Sequence, residues 1–377
     1  MPKTFLSKSC ATFAAAIFLA GSACAQVTVE VVRSDLFSPR DVAVDLNGDV
    51  YVIEAGAPFD TTGLTPITTD TGTAYYGNTG NIIKFEGGVG STKSVWASGL
   101  PTLFNPNPGG ESVGGHGIFF IGPDLYVSIG LGSTAGNRAV VASAANLGSI
   151  FQVTAGAFTT PLNQTDISGS STIGGTSSNP FHAEALGGVI FLADAADNSI
   201  LEIDGVGNVS RVAFLPDVPP SSDYVPTSLA LHPTNGLIYV GGLTGLPFPP
   251  DSSTIYTIDP DLPDTQTPQV FATGFTQILD LAFGADGTLY VLEMGLTSAN
   301  GALWSVSPDG LTTTQLLSDP LVHATGMTIA ADGTIYVTDT GLIPGSGRLL
   351  AITVPEPGAS LLGVLVLAGL AFVRRRK

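Results

Sequence analysis

The residues able to do chemistry in this 377-residue chain are few and regularly placed. Aligning six similar stretches on Tyr51, Tyr126, Phe191, Tyr239, Tyr290 and Tyr336 brings two columns into register. The first column reads Asp41, His116, His182, Ser228, Asp280 and Gly326. The second lies three residues past each aromatic and reads Glu54, Ile129, Asp194, Gly242, Glu293 and Asp339. Carboxylates gathered in this way suit a hard cation such as Ca²⁺, and the imidazoles would admit a transition metal. The expected metal ligands are Asp41, Glu54, Asp280 and Glu293. Any of these side chains could instead serve as general acid or base. They could also be solvated or hydrogen-bonded to nearby backbone, although like charges that close repel unless a cation or proton intervenes. His232 and His323 lie off both columns.

The element that positions the columns is seen best in LDLAFGADGTLYVLE, Leu279 to Glu293. Two apolar runs flank Asp286-Gly287, a strong hairpin signal that predicts a two-residue turn with both central residues at positive φ. The pattern recurs at Ser38–Glu54, Gly114–Gly130, Asn179–Asp194, Val225–Gly242 and Ala324–Asp339. Each copy is followed by β-rich sequence for two further strands. The aromatic positions Tyr239, Tyr290 and Tyr336 are 51 and 46 residues apart, a spacing that suits four-stranded propeller blades. The fold class expected is all-β, a six-bladed β-propeller. The sixth copy lacks a fourth strand before Pro355, and the chain begins with a spare one at Val27–Arg33, so the N-terminal strand is expected to close the ring. A β-sandwich or two separate β domains are the alternatives. In a propeller the start of one strand and the end of the next share a face, so the columns become two rings around a central channel.

Long segments at Ala55–Gly80, Gly130–Leu147 and Leu243–Pro250 lead from the second column and are expected to cover the same mouth. Phe59, Tyr75, Tyr76 and Phe248 could then wall a pocket. Arg138 could anchor a carboxylate there or form a surface salt bridge. A Ser/Thr/Gly-rich stretch, Gln164 to Ser178, reads as a surface loop. No phosphate loop, Gly-x-Ser-x-Gly elbow or His-Glu-x-x-His is present.

Both termini read as processing signals. Lys3 and Lys8 precede an apolar run, and Ala23-Cys24-Ala25 supplies a small-x-small site, so cleavage is expected between Ala25 and Gln26. A lipoprotein acylated at Cys24 is the alternative. At the far end Leu361 to Val373 is apolar, short for a spanning helix, and is followed by Arg374, Arg375, Arg376 and Lys377. The expected organisation is residues 1–25 signal peptide, 26–354 propeller and 355–377 sorting or anchor segment. Cys10 and Cys24 leave with the signal peptide, which excludes disulfides and thiolate chemistry from the mature protein. Six of the thirteen basic residues fall in the two end segments, so the mature domain is more acidic than the net charge of −18. That charge repels nucleic acid.

The tail, with Pro355-Glu356-Pro357, an apolar segment and an Arg cluster, resembles the PEP-CTERM sorting signal. The resemblance implies export in a Gram-negative bacterium, transient residence of the tail in the inner membrane, and processing by an exosortase-type enzyme near the Pro-Glu-Pro. A plain C-terminal membrane anchor is the alternative. Pro39 to Val52 is similar to NHL-type repeats. SNPFHAEA, VPTSLAL, LTGLPFP, FATGFTQILDLAFGADGTLYVLEMG and NGALWSVSPDG resemble the ScyD/ScyE family of exported six-bladed propellers. That resemblance implies a TolB-like fold outside the cytoplasm, in periplasm, cell surface or extracellular matrix. The functional expectation is a binding module for an unknown small molecule, glycan or protein. The alternative is a metal-dependent enzyme of the lactonase or gluconolactonase kind, or one acting on an aromatic secondary metabolite.

Overall fold

The structure is a computed structural model that describes residues 26–355, apart from 70–71, 108–111, 131–132, 162–176, 219–222, 296–300 and 343–344. The signal-peptide residues before Gln26, Glu356 and Pro357 of the sorting motif, the apolar tail and most of the Ser/Thr/Gly-rich stretch lie outside the described residues. Val27–Val354 forms one compact unit. Among the described residues no helix is long and apolar enough to cross a membrane.

The strands fall into six antiparallel sheets, one for each repeat. Their first strands are Pro39–Val44, Gly115–Ile121, Pro180–Leu186, Pro226–Leu231, Ile278–Phe283 and Gly326–Ile329. Sheet 6 takes its fourth strand from the N-terminal end: Thr28–Leu36 pairs antiparallel with Gly347–Thr353, Val29 opposite Ile352. Each first strand packs against the first strand of the next sheet, and that of sheet 6 returns to that of sheet 1.

The hydrophobic core is divided to match. Alternating side chains of each sheet pack against its neighbour. Ile53 and Ile82 meet Val127 and Phe151, and Tyr239 and Ile255 meet Leu281 and Val291. Leu349 of sheet 6 packs on Val42 and Val52 of sheet 1.

The hairpins differ from expectation in their turns. The strands of sheet 5 stop at Phe283 and resume at Leu289, a five-residue connection, and Gly287 rather than Asp286 has positive φ, +84°. Asp286 contributes through its side chain, accepting the Thr288 N–H at 3.0 Å. Asp45 does the same for Asn47 and Asp49 in sheet 1. These aspartates favour the turn by local side-chain hydrogen bonding, not by tolerating a left-handed backbone.

The segment Ala55–Gly80 is more ordered than a loop. Pro66–Thr69 pairs with the front of a long strand, Gly72–Phe85, which itself pairs with Lys93–Phe104.

Candidate functional site

Side chains of the first column join neighbouring sheets. Asp41 accepts the Ile118 N–H of sheet 2 at 3.0 Å, and Asp280 accepts the Met327 N–H of sheet 6 at 2.6 Å. His182 Nδ1 accepts from Leu229 of sheet 4 at 3.4 Å, and Glu184 accepts from Leu231 at 2.9 Å. The remaining three seams are held by hydroxyls. Ser128 donates to Phe181 O, Thr227 to Ile278 O and Thr325 to Pro39 O. Ionisable and hydroxyl seams therefore alternate around the six sheets.

This alternation explains why the first column varies. Asp41, His182 and Asp280 come from sheets 1, 3 and 5 and converge. His182 Nε2 lies 3.9 Å from Asp41 Oδ2, and His182 Nδ1 lies 3.8 Å from Asp280 Oδ1. The even sheets must stay clear of them: a Cβ on Gly326 would sit 2.6 Å from both Cα and Oδ1 of Asp41. Ser228 is fully buried. His116 is buried against Phe181, ring centroids 4.4 Å apart, away from the cluster. Burial, reinforced by Arg40, pushes its pKa down to about 3, so it stays neutral.

Burial drives the carboxyl groups the other way. Asp41 is pushed up to about 7 by burial and by repulsion from Asp280, and Asp280 to about 7 by burial. Because Nδ1 of His182 receives the Leu229 N–H, its own proton belongs on Nε2, facing Asp41. The Nδ1 lone pair is thereby taken, so Asp280, 3.8 Å from Nδ1, stands beside the ring without a hydrogen bond to it.

The second column serves a different purpose. Glu54 accepts the Phe37 N–H at 2.9 Å, Glu293 the Thr276 N–H at 2.5 Å, and Asp339 the Val322 N–H at 2.7 Å. Each of those donors precedes a residue with a left-handed backbone: Ser38, Gln277 and His323, at φ +49°, +58° and +50°. The acids pin the strained step by which the chain enters a first strand. Asp194 accepts the Asn179 N–H at the corresponding point of sheet 3, and also the Ser178 hydroxyl. In sheet 4 there is no acid. Tyr224 fills the space at Gly242 and donates to Val240 O and Thr254 O, while Asn198 accepts the Val225 N–H. Burial raises the pKa of Glu54, Asp194, Glu293 and Asp339. Asp339 is also paired with Arg348.

The four carboxylates expected to share a Ca²⁺ are thus divided between two tasks. Among the described residues no three His, Cys, Asp or Glu side chains are grouped as a metal ion would need. Glu54 and Glu293 are engaged by loop backbone, and both oxygens of Asp41 and of Asp280 receive backbone N–H groups. Among the described residues the arrangement does not fit a metal.

Beside the trio of Asp41, His182 and Asp280 the first strands line an open pocket of about 260 Å³. His182 and Glu184 are its ionisable lining groups, and Asp41 and Asp280 stand behind His182. The column alignment missed Glu184. The signal was available, because residues two apart on a strand share a face. The aromatic pocket expected over the loop-bearing mouth is not formed around this cavity. Phe59 packs on Phe104, Tyr76 bonds Asn78, and none of Phe59, Tyr75, Tyr76 and Phe248 lines it. Arg138 ends the one-turn helix Ala135–Arg138, is 5% exposed and also lies outside the lining.

The fold is that of the gluconolactonase and NHL-like β-propellers. A gluconolactonase of Xanthomonas campestris is similar over 89% of this chain and 91% of its own, at 12% identity and a TM-score of 0.53. A Thermus thermophilus protein assigned as an oxidoreductase (glucose dehydrogenase) is similar over 87% of this chain and 100% of its own, at 15% identity and a TM-score of 0.53. At these identities the likeness concerns the fold alone. No family model matches the chain, and no curated protein matches its sequence.

Proposed function

We propose that this chain is an exported ligand-binding module, a six-bladed β-propeller closed by its N-terminal strand, whose ligand seats in the central cavity. The six sheets, the cyclic order of their first strands and the Thr28–Leu36 pairing support the architecture. The proposed mature domain spans residues 26–354. The signal-like N terminus and the PEP-CTERM-like tail support export, exosortase processing and residence at the cell surface or in extracellular matrix. The stretches quoted above support kinship with the ScyD/ScyE propellers.

The observation that carries the binding reading is the cavity itself, with His182 and Glu184 on its wall and two carboxyl groups behind the imidazole. A concave space with a few convergent polar groups is the place where a ligand is expected. The second reading is an enzyme, and one feature favours it. An imidazole poised between two carboxyl groups is an arrangement for general acid–base catalysis, such as opening a lactone.

Incubating the full chain with sugar lactones and aromatic esters separates the two. Turnover that disappears in a folded His182→Gln variant would establish the enzyme. Ligands that raise the melting temperature without being consumed would establish the module. Stabilising ligands whose effect is unchanged by His182→Gln and Glu184→Gln would sink the cavity as the site.

A further inference from the structure

We propose that the central pocket takes a small organic cation, an ammonium group on a compact body, admitted from the end where the first strands turn into the second. This rests on the reading of the cavity as the binding site. Val42, Val44, Ile118, Phe120, Leu281 and Met327 contribute to the walls, but most of the surface the walls expose is polar. Glu184 projects among them, and no Lys or Arg lines the space.

The described basic side chains are committed elsewhere. Lys84 pairs with Asp49, Lys93 with Asp35, Arg211 with Asp264 and Arg348 with Asp339. Arg33 and Arg40 donate to the carbonyls of Ser91 and Ser112. A partly buried carboxylate is stabilised by an opposite charge close by. Here the chain offers only His182, which Asp41 and Asp280 already flank. A bound ammonium would supply the missing charge, whereas an anion would meet Glu184. The volume suits one ring with a short substituent, since a cavity of about 150 Å³ holds benzene.

The direction of approach follows from burial. The lining belongs to the later halves of the first strands. Val44, Phe120, Glu184 and Thr328, toward the turns, are partly exposed, whereas Asp41 and Asp280 at the other end are buried.

The test is calorimetric titration of the full chain with benzylamine, benzyl alcohol and benzoate at about pH 8. Benzylamine should bind at least tenfold more tightly than the alcohol, and benzoate should not bind. Glu184→Gln should erase the preference for the amine while the protein keeps its melting temperature, because the amide oxygen can still accept the Leu231 N–H. Val44→Trp, which fills the turn-side mouth, should abolish binding in a protein whose circular dichroism is unchanged. Equal binding of amine and alcohol, both lost in Val44→Trp, would overturn the cation and leave the cavity reading standing. Amine binding indifferent to both variants would overturn both readings. No heat with any of the three probes would overturn the cation proposal.

Discussion

Replacing Asp280 by Asn, alone and with Asp41→Asn, should flatten the decline of stability with pH that the buried carboxyl groups impose. An unfolded Asp titrates near 3.9 and is ionised throughout the neutral range. In the folded protein the Asp280 carboxyl is pushed up to about 7. A carboxyl whose folded pKa is raised stabilises the fold fully below the unfolded value, and that contribution is lost as pH rises through the folded value. The decline runs from about pH 4 to just above about pH 7, and its last part falls between about pH 6 and about pH 8. For one group with a folded pKa near 7 it amounts to about 1.4 kcal/mol across that window. Asp41, raised to about 7 in part by Asp280, adds a similar amount, spread over a wider range by their mutual repulsion. Urea titrations of wild type and variants at several pH values would read these differences directly. The wild type should lose about 2–3 kcal/mol more than the double variant across the window. Parallel stability–pH curves for the two proteins would refute the protonated pair at the centre of the molecule.

Removing a second-column acid tests the clamps. Glu54→Ala leaves the Phe37 N–H without its partner ahead of left-handed Ser38 and should cost about 1–3 kcal/mol by chemical denaturation. Gly326→Ala forces a Cβ against Asp41 and should cost about 1–3 kcal/mol, while Gly287→Ala has room for its Cβ and should cost about 1 kcal/mol from its left-handed backbone alone. Deleting Thr28–Leu36 strips sheet 6 of a strand and exposes the Gly347–Thr353 edge, so the melting temperature should fall sharply. Adding EDTA and then Ca²⁺ should leave the melting temperature unchanged, since the four expected ligands do not meet; a rise with Ca²⁺ would reinstate the metal.

The repeat architecture was legible because each sheet needs the same local devices. Aromatic Tyr51, Tyr239 and Tyr290, Asp or Asn before Gly, and alternating apolar residues all lie within one short stretch of chain. The two acidic columns were legible for the same reason, but their different duties were not. Glu54 and Glu293 look like Asp41 and Asp280 in sequence, yet they face the chain's own approach to a first strand, a left-handed step that no residue type announces. Ser38, Gln277 and His323 share that backbone without sharing chemistry. The seams were equally hidden, because Asp41 bonds a residue 77 positions away and Asp280 one 47 away. Only the stacking of sheets shows that three alternate first-column residues converge and that Gly326 is small to make room. Glu184 escaped because the alignment followed one position per repeat, and its cavity is shared by five sheets.

The central claim is that the cavity beside His182 and Glu184 is where this protein meets its ligand. Crystals of the full chain soaked in a library of small fragments test it most directly. Fragments should appear between the first strands, in contact with His182 or Glu184, and enter from the turn side. Fragments found only beneath the segments that carry Phe59 and Phe248, with the central cavity holding none, would contradict the account.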